Sequence, residues 1–243
     1  MIGRLGGPAV IVGHWLSGGA ATIAAAQAPE LVRGIVEIDP FTRTQRLDLG
    51  ALLRNPRYRQ GMTLVLGAQM LRSLSMWMRY LDLAYPSKPA DYAEYTAGVR
   101  AKLTEAGRMA EFAKTGKSTP ADAQAKLPGI RCPALILMGT LDPDFPDPRA
   151  EGEAIAAAMP AGLGSVALID GAGHYPHAQC PGEVAALVIP FLNEHSHADP
   201  GSSRPQVPPE AEALSWTCAA KHRLPRARSP PARRPRPALS SPR

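Results

Sequence analysis

Short apolar runs that end at a glycine or an aspartate constrain the fold of this chain more than any other feature. Two lie near the amino end, at 8–12 and 34–39, and two lie far downstream, at 134–138 and 165–169. Runs of this length and composition are typical of strands buried on both faces of a parallel sheet. Stretches with helical spacing separate them, so the sequence predicts an α/β fold with a parallel sheet of about four strands.

Three helices are predicted to cover this sheet. The first, at 18–28, consists of small residues and stops at Pro29, so it can pack closely against the strands. The second spans 149–159. The third presents apolar residues at intervals of three and four along one face, which indicates that this face packs against the sheet. These residues are Val184, Leu187, Val188, Phe191 and Leu192.

The stretch from 44 to 128 lacks strand signals, and helices are predicted in it at 47–53, 58–80 and 92–113. Helices inserted between two parallel strands are expected to form a lid. Five apolar residues in this stretch are spaced to form one apolar face: Met70, Leu71, Leu74, Met78 and Leu81. This face either lines an apolar substrate pocket or, as is more usual for such spacing, packs against the rest of the protein.

The composition changes at Ser196. Residues 196–243 hold 10 of the 26 prolines, and 9 of the 27 basic residues against 3 of the 21 acidic ones. Such a segment buries too little apolar surface to offset its ordering entropy, so we predict a disordered tail. It is interpreted as a Pro-rich ligand for a partner domain, as a basic arm, or as an inert extension that out-of-frame translation of a GC-rich gene could produce.

These features divide the chain into two core segments at 1–43 and 129–195, a helical lid at 44–128 and the tail at 196–243. The tail carries the whole formal net charge of +6. The body is therefore neutral, and we expect weak, non-specific polyanion binding by the tail but no specific nucleic-acid partner. With neither an apolar run of ~18 residues nor a signal peptide, the protein is expected to be cytoplasmic, without a membrane partner.

Three loops that follow predicted strands carry the candidate chemistry. The first, at 12–19, is a sharp glycine-rich turn, the second, at 139–148, is rich in aspartate, and the third, at 170–177, contains histidine. The carboxyl ends of parallel strands meet at the edge where open α/β sheets bind ligands. Turn, acid and histidine in this order are typical of nucleophile-elbow hydrolases.

With these motifs the sequence resembles the α/β-hydrolase superfamily, specifically its esterase and lipase-like branch with a helical lid, over roughly residues 5–195. The resemblance implies that Asp142, in a Gly-x-x-Asp turn, is the acid of a catalytic triad and that His174, in a Gly-x-Gly-His turn, is its base, with His177 as a less favoured alternative. It also implies a small apolar ester as substrate and no cofactor. A metal site built from Asp142, His174 and His177 lacks convincing ligand spacing, so no metal is predicted.

The resemblance fails at the nucleophile. In the family's Gly-His-Ser-x-Gly-Gly pattern a serine stands two residues after the first glycine, where this chain has Trp15. An indole offers no nucleophilic atom, and we expect it to be too large for a strained turn. Ser17 is a substitute candidate because Ser-x-Gly survives there, but it lies two residues past the turn and equally suits a helix start or cap. His14 is interpreted as structural or pocket-lining.

The resemblance also implies an oxyanion hole. The backbone amide of Leu16, after the elbow residue, is the one donor that this chain supplies, because the family's second donor comes from a loop ahead of the elbow. Loss of one such donor typically costs about 3–4 kcal/mol of transition-state stabilisation. The strand that ends at Val12 also loses its usual neighbour and is expected to be an exposed apolar edge.

Three hypotheses follow from these departures. The chain is a serine-type acyl hydrolase that is impaired or inactive because its nucleophile is absent. Alternatively, it is a non-catalytic binding protein that keeps the pocket and lid to hold a small apolar molecule. The third hypothesis is a truncated and mis-framed gene product whose parent begins ~80–100 residues earlier, which would suit the usual size of a complete domain.

Overall fold

The computed structural model describes residue 2 and residues 7–45 and 48–196. Within this part of the chain, four parallel strands form one sheet in the order β1-β2-β3-β4. The strands are β1 (Ala9–His14), β2 (Val32–Ile38), β3 (Ala134–Gly139) and β4 (Gly164–Ile169). The predicted α/β fold with a parallel sheet is confirmed, and each strand overlaps one of the apolar runs.

Ten α-helices accompany the sheet within the described residues. In chain order they are α1 (Leu16–Gln27), α2 (Leu49–Arg54), α3 (Pro56–Met70), α4 (Leu74–Ala84), α5 (Tyr92–Thr104), α6 (Arg108–Lys114), α7 (Ala121–Lys126), α8 (Pro148–Ala158), α9 (Pro176–Gln179) and α10 (Pro181–His195). Six of them, α2 to α7, lie between β2 and β3. Their role as a lid stays a prediction, as do the boundaries of the four segments.

Helices cover both faces of the sheet. Successive residues of a strand point to opposite faces, so neighbouring residues of β3 pack against different helices. Ile136 of β3 belongs to a core cluster that contains Ala25 of α1 and Ile155 of α8. Its neighbour Leu135 belongs to a second cluster around Val184 of α10. Four residues of the predicted stripe pack in this second cluster: Val184, Leu187, Val188 and Phe191.

The helix predicted at 58–80 is in fact two helices, α3 and α4. The chain turns at Arg72, whose φ of 51° lies in the left-handed region and ends the helical path. The next residue caps α4, since the Ser73 hydroxyl accepts a hydrogen bond from the amide of Met76 at 3.4 Å. The apolar spacing therefore continues across the break, but the left-handed conformation of Arg72 ends the helix there.

The same break makes the predicted apolar face wrong at its amino-terminal end. Met70 and Leu71 are 79% and 73% exposed, because they sit at the turn instead of inside a helix that continues. Further along, Leu81 is fully buried, and it packs with Leu64 of α3 and Tyr80 of α4 in a third cluster. Only the second half of the predicted face therefore contributes to the core.

Two side chains of α3 and α4 attach these helices to the loop after β3. The Arg57 guanidinium donates hydrogen bonds to the carbonyls of Leu141 and Leu83, and burial lowers the pKa of Arg57. The Tyr80 hydroxyl donates to a carboxylate oxygen of Asp144 at 2.7 Å. The helices between β2 and β3 therefore help to position an acidic loop at the edge of the sheet.

The outer strand β1 leaves apolar surface uncovered. Among the described residues it pairs with β2 alone, and Val12 is 50% exposed, as expected for an apolar edge. No helix in the described ranges combines the length and apolar character that crossing a membrane requires. The predicted disordered tail, 196–243, lies outside the described residues except for Ser196.

Candidate active site

The turn between β1 and α1 holds Trp15 in a conformation that is uncommon for a side-chain-bearing residue, with φ 54° and ψ −120°. Its amide donates to the carbonyl of Ile38 at 3.1 Å. Its carbonyl accepts from the amides of Gly18 at 3.0 Å and Phe41 at 3.1 Å. Helix α1 begins at the next residue, Leu16. The chain thus has a sharp strand-to-helix turn held by backbone hydrogen bonds.

Two glycines allow this turn to form. A Cβ at Gly13 would lie 2.4 Å from the carbonyl oxygen of Ser17, and one at Gly19 would lie 2.8 Å from the carbonyl oxygen of Phe41. Real Cβ atoms do not approach backbone oxygens so closely, so both positions exclude larger residues. The close approach of β1, α1 and the loop after β2 therefore fixes the backbone around residue 15.

The indole of Trp15 fits beside this turn, contrary to the expectation that it is too large. Its ring stacks on Phe41, with centroids 4.8 Å apart and planes inclined by 22°. It also makes an edge-to-face contact with His174, at 4.7 Å and 83°. Only the backbone of the turn needs small neighbours, and the side chain extends away from it into space between two loops.

Ser17 does not point towards the histidine loop. Its hydroxyl donates to the carbonyl of His14 at 2.7 Å and accepts from the His14 amide at 2.9 Å. These two bonds join the second residue of α1 to the last residue of β1. The arrangement is that of a local brace, which matches the alternative interpretation of Ser17 as a helix-start residue.

Asp142 and His174 form a buried hydrogen-bonded pair. The imidazole Nδ1 lies 2.7 Å from Oδ2 of Asp142, and both residues are almost fully buried. The amide of His174 donates to the carbonyl of Ala84 at the end of α4. Burial acts to lower the pKa of His174, but the carboxylates of Asp142, Asp144 and Asp39 outweigh it and raise the pKa to about 10.

Two further carboxyl groups lie beside this pair. Asp39, directly after β2, is fully buried, and one of its oxygens accepts from the amide of Gly139 at 2.8 Å. Burial and the nearby Asp142 carboxylate raise the pKa of Asp39 well above its usual range. Asp144 is 6% exposed, and burial raises its pKa to about 6. Three acids and one imidazole therefore share a dry site at the edge of the sheet.

Two further histidines, His14 and His177, lie close to His174. His14 donates from Nε2 to the carbonyl of His174 at 2.8 Å, and its ring lies 4.8 Å from that of His177. Burial, with His174 nearby, lowers the pKa of His14 to about 3 and also lowers that of His177. Both shifts favour the neutral imidazole. Of the two candidates, His174 and His177, it is His174 whose imidazole bonds to Asp142.

A cavity of about 440 Å³ opens beside the elbow. Trp15 and Leu16 line it from the turn, Phe41 from the loop after β2, and Asp144 from the acidic loop. Helix α3 closes the opposite wall, with Met62 among its lining residues. The cavity therefore connects the elbow to the acid cluster and has the size and apolar character of a small-molecule site.

This arrangement agrees with comparisons to known proteins. Residues 1–187 match the alpha/beta hydrolase family. The chain belongs to the alpha/beta hydrolase family. Over 140 residues it is 29% identical to the 2-(acetamidomethylene)succinate hydrolase of Mesorhizobium japonicum, a match that covers 55% of this chain and 47% of that protein. The chain thus spans about half the length of this curated relative.

Solved structures of the same fold include a bacterial membrane phospholipase A, with a TM-score of 0.58 at 20% identity, covering 81% of this chain and 60% of that one. Another is the 2-hydroxy-6-oxo-6-phenylhexa-2,4-dienoate hydrolase of Rhodococcus sp. strain RHA1, with a TM-score of 0.56 at 13% identity, covering 79% and 64%. At these identities the likeness concerns the fold.

Within a hydrolase of this family, the structure places Leu16 where the resemblance requires an oxyanion donor. Leu16 is the first residue of α1, and the first amides of a helix have no acceptor in their own helix. Its side chain is 39% exposed and borders the cavity. The role of this amide stays a prediction, as do the catalytic roles of Asp142 and His174.

Sequence reasoning missed Asp144 and Asp39 as site residues. Nothing in the aspartate-rich loop distinguishes Asp144 from a solvated turn acid, but Tyr80 and the loop itself bury it. Asp39 gave a usable signal, because it ends an apolar run at the same edge of the sheet as Asp142. Ligand-type atoms of Asp142, Asp144 and His174 lie within 4.8 Å of one another, but the Nδ1 of His174 is already engaged by Asp142.

Proposed function

We propose that this hydrolase-family chain is of the serine carboxyl-ester type, that its acyl-enzyme chemistry is blocked at residue 15, and that it binds a small, apolar, ester-like molecule beside Trp15. One observation carries the proposal. Trp15 holds the elbow conformation, with φ 54°, and its indole contacts His174 edge-to-face. The side chain that the base should activate is therefore one that cannot form an acyl intermediate.

The position of Ser17 supports the block. Acyl transfer needs a hydroxyl within about 2.6–3.2 Å of its general base. The Ser17 hydroxyl is instead bonded to both backbone groups of His14. To reach His174 it would have to give up both bonds, and nothing in the site compensates for that loss.

The cavity supports the binding half of the proposal. Apolar side chains of the elbow and of α3 form much of its lining, and a volume of about 440 Å³ accommodates a small ester. The buried pair of Asp142 and His174 borders the elbow without a nucleophile to serve. A cavity that fits a small ester but offers no nucleophile is suited to bind the ester without cleaving it.

Hydrolysis of p-nitrophenyl acetate and butyrate tests the block. We expect the purified 243-residue chain and its Ser17→Ala variant to match the uncatalysed rate. We also expect no turnover from Trp15→Ser, because the amide of Leu16 is the one oxyanion donor that we assign among the described residues. Wild-type turnover that Ser17→Ala removes would refute the block. Turnover by Trp15→Ser that a further His174→Ala change removes would confirm the block at Trp15 and refute the oxyanion argument.

Ligand-observed NMR with phenyl butyrate tests the binding. We expect saturation transfer to this neutral ester, and no cleavage of it during the measurement. Leu66→Glu places a charge on the cavity wall and should abolish the signal, whereas Leu53→Glu, at an 81% exposed position outside the cavity, should not. Absence of binding, or equal loss in both variants, would refute the proposed site.

A further inference from the structure

The cavity beside Trp15 has an uneven charge lining. Three of its described lining residues are aromatic, namely Trp15, Phe41 and Tyr58, and one is acidic, Asp144. None of the described residues that line it is a lysine or an arginine. The other described lining residues are neutral, either aliphatic or, as with Gln45 and Gln69, polar, so the described wall offers an anion no basic side chain.

This combination favours one class of ligand. Aromatic rings attract cations through their negative faces, and the attraction grows when water is excluded. A buried carboxylate adds a counter-charge whose cost of burial a cation offsets. We propose that the cavity takes a ligand with an apolar body and a cationic nitrogen, such as a quaternary ammonium group or an amine, with Asp144 as its counter-charge. This inference rests on the proposed binding function.

Asp144 is placed to serve a ligand and not only the loop. One of its oxygens accepts from the Tyr80 hydroxyl at 2.7 Å, while the other lies 3.8 Å from Nδ1 of His174. His174 has a closer partner in Asp142, at 2.7 Å. Two carboxylates, Asp142 and Asp144, therefore share the one imidazolium of His174, which leaves one negative charge of this group unbalanced.

The ionisation of Asp144 is compatible with this role. Burial raises its pKa to about 6, and the groups that act on it are His174, Asp142 and Tyr80. His174, from the loop after β4, is the cation in this set and favours the carboxylate, while Tyr58 of α3 and Tyr175 are neutral neighbours on which Asp144 acts. Above pH 6 the carboxylate predominates, and a bound cation would stabilise it further.

The proposed ligand class differs from that of the curated relative. The name of the Mesorhizobium hydrolase specifies a succinate, which carries carboxyl groups. A carboxylate ligand in the present cavity would lie near Asp144 without a described basic residue to pair with it. Two like charges in a site of low polarity repel strongly. The lining therefore discriminates against such anions.

Three probes of equal shape test the charge preference in the full chain: (3-hydroxyphenyl)trimethylammonium, the neutral 3-tert-butylphenol and the anionic 3-hydroxybenzenesulfonate. Their affinities are measured by ligand-observed NMR titration at pH 7.5. We expect the cation to bind at least about tenfold more tightly than the neutral probe, and the anion not to bind. Equal affinity of the cation and the neutral probe, or binding of the anion, would overturn the inference.

A matched pair of variants assigns the preference to one carboxylate. Asp144→Asn keeps the shape and should reduce the cation-to-neutral ratio to near unity. Asp122→Asn removes the same charge at an exposed position of α7 and should leave the ratio unchanged. If Asp144→Asn does not fold, the wild-type ratio measured at pH 7.5 and pH 5 replaces it. We expect the ratio to fall at pH 5, and a ratio that does not change would overturn the assignment.

The two proposals fail in different ways. If neither the cation, the neutral probe nor phenyl butyrate binds, the binding function is refuted together with the inference. If phenyl butyrate and 3-tert-butylphenol bind while the cation gains nothing, the binding function is supported and the cationic class alone is refuted.

Discussion

The elbow and the acid–histidine loops occupy the same edge of one sheet, yet different forces hold them. At the elbow, backbone hydrogen bonds of Trp15 and glycines without room for a Cβ set the conformation. At the acid–histidine loops, the Asp142 carboxylate accepts hydrogen bonds from the His174 imidazole and from the backbone amide of Asp144, and the Asp144 carboxylate lies 3.8 Å from the same imidazole. A side chain can therefore be exchanged at the first site with little effect on the backbone, but not at the second.

The largest expected effect breaks the second site. Asp142→Ala leaves the buried His174 without its closest partner, and removing one member of a buried pair typically costs about 3–5 kcal/mol. Urea unfolding followed by circular dichroism measures the free energy of unfolding. Asp122→Ala, an exposed acid, is the control and should stay within about 0.5 kcal/mol of wild type. A loss under about 1 kcal/mol for Asp142→Ala would mean that other contacts hold these loops.

The pH dependence of the free energy of unfolding distinguishes the buried acid beneath α1 from the acid–histidine loops. Glu37 of β2 accepts a hydrogen bond from Thr22 of α1, and burial raises the Glu37 pKa from 4.5 to about 7. When folding raises the pKa of a carboxyl group, the folded protein loses stability as the pH rises from the unfolded-state pKa of that group through its folded-state pKa. Relative to Glu37→Gln, the wild type should therefore lose up to about 3 kcal/mol between pH 4.5 and 7. A parallel pH profile for the two proteins would contradict the buried acid.

The histidine has a different pH window. The pKa of His174 is raised to about 10, so its contribution to stability is complete below pH 6.5 and is lost as pH rises towards 10. His174→Gln should remove that loss and leave the Glu37 window in place. The measurement is the free energy of unfolding at intervals from pH 5 to 10. If His174→Gln changed the pH dependence only between pH 4.5 and 7, the two pH ranges would have been assigned to the wrong groups.

A smaller effect is expected from crowding the elbow. Gly13→Ala would place a Cβ 2.4 Å from the Ser17 carbonyl oxygen, and such overpacking typically costs about 1–3 kcal/mol. Gly98→Ala is the matched control in α5, where a Cβ meets nothing within 4 Å and alanine should stabilise the helix by about 0.5–1 kcal/mol. Equal changes in thermal midpoint for the two variants would show that the close approach at Gly13 is unimportant.

The smallest expected effect concerns the brace at the start of α1. Ser17→Ala removes two hydrogen bonds to the His14 backbone and should lower the free energy of unfolding by about 0.5–1.5 kcal/mol. The backbone at Trp15 should persist, since its own hydrogen bonds remain. Far-UV and near-UV circular dichroism check this, and a loss of the near-UV aromatic signal would show that Ser17 determines where the indole packs.

The strands and the three loops could be predicted because burial in a parallel sheet leaves a local record. The apolar runs overlap the observed strands, and the rule that ligands bind at the carboxyl edge singles out the three loops, within which the family resemblance points to Asp142 and His174. The same rule applies to Asp39, which follows β2 directly and was overlooked.

The remaining features depend on contacts between distant parts of the chain. Asp144 is buried because Tyr80, 64 residues earlier, bonds to it. Trp15 fits its turn because Phe41, from the following loop, offers a ring on which it stacks. The break between α3 and α4 is local, but it depends on the left-handed conformation of Arg72, which apolar periodicity does not predict. Ser73, a good cap before Met76, was the signal that could have revealed it.

The fixed backbone at residue 15 also bears on how such a protein arises in evolution. The tryptophan codon TGG differs from the serine codon TCG by a single base. Because glycines and backbone hydrogen bonds hold the turn, such a change would leave the architecture standing and remove only the reacting atom. Under the proposed function, one mutational step would therefore convert a hydrolase of this family into a ligand-binding protein whose pocket is already formed.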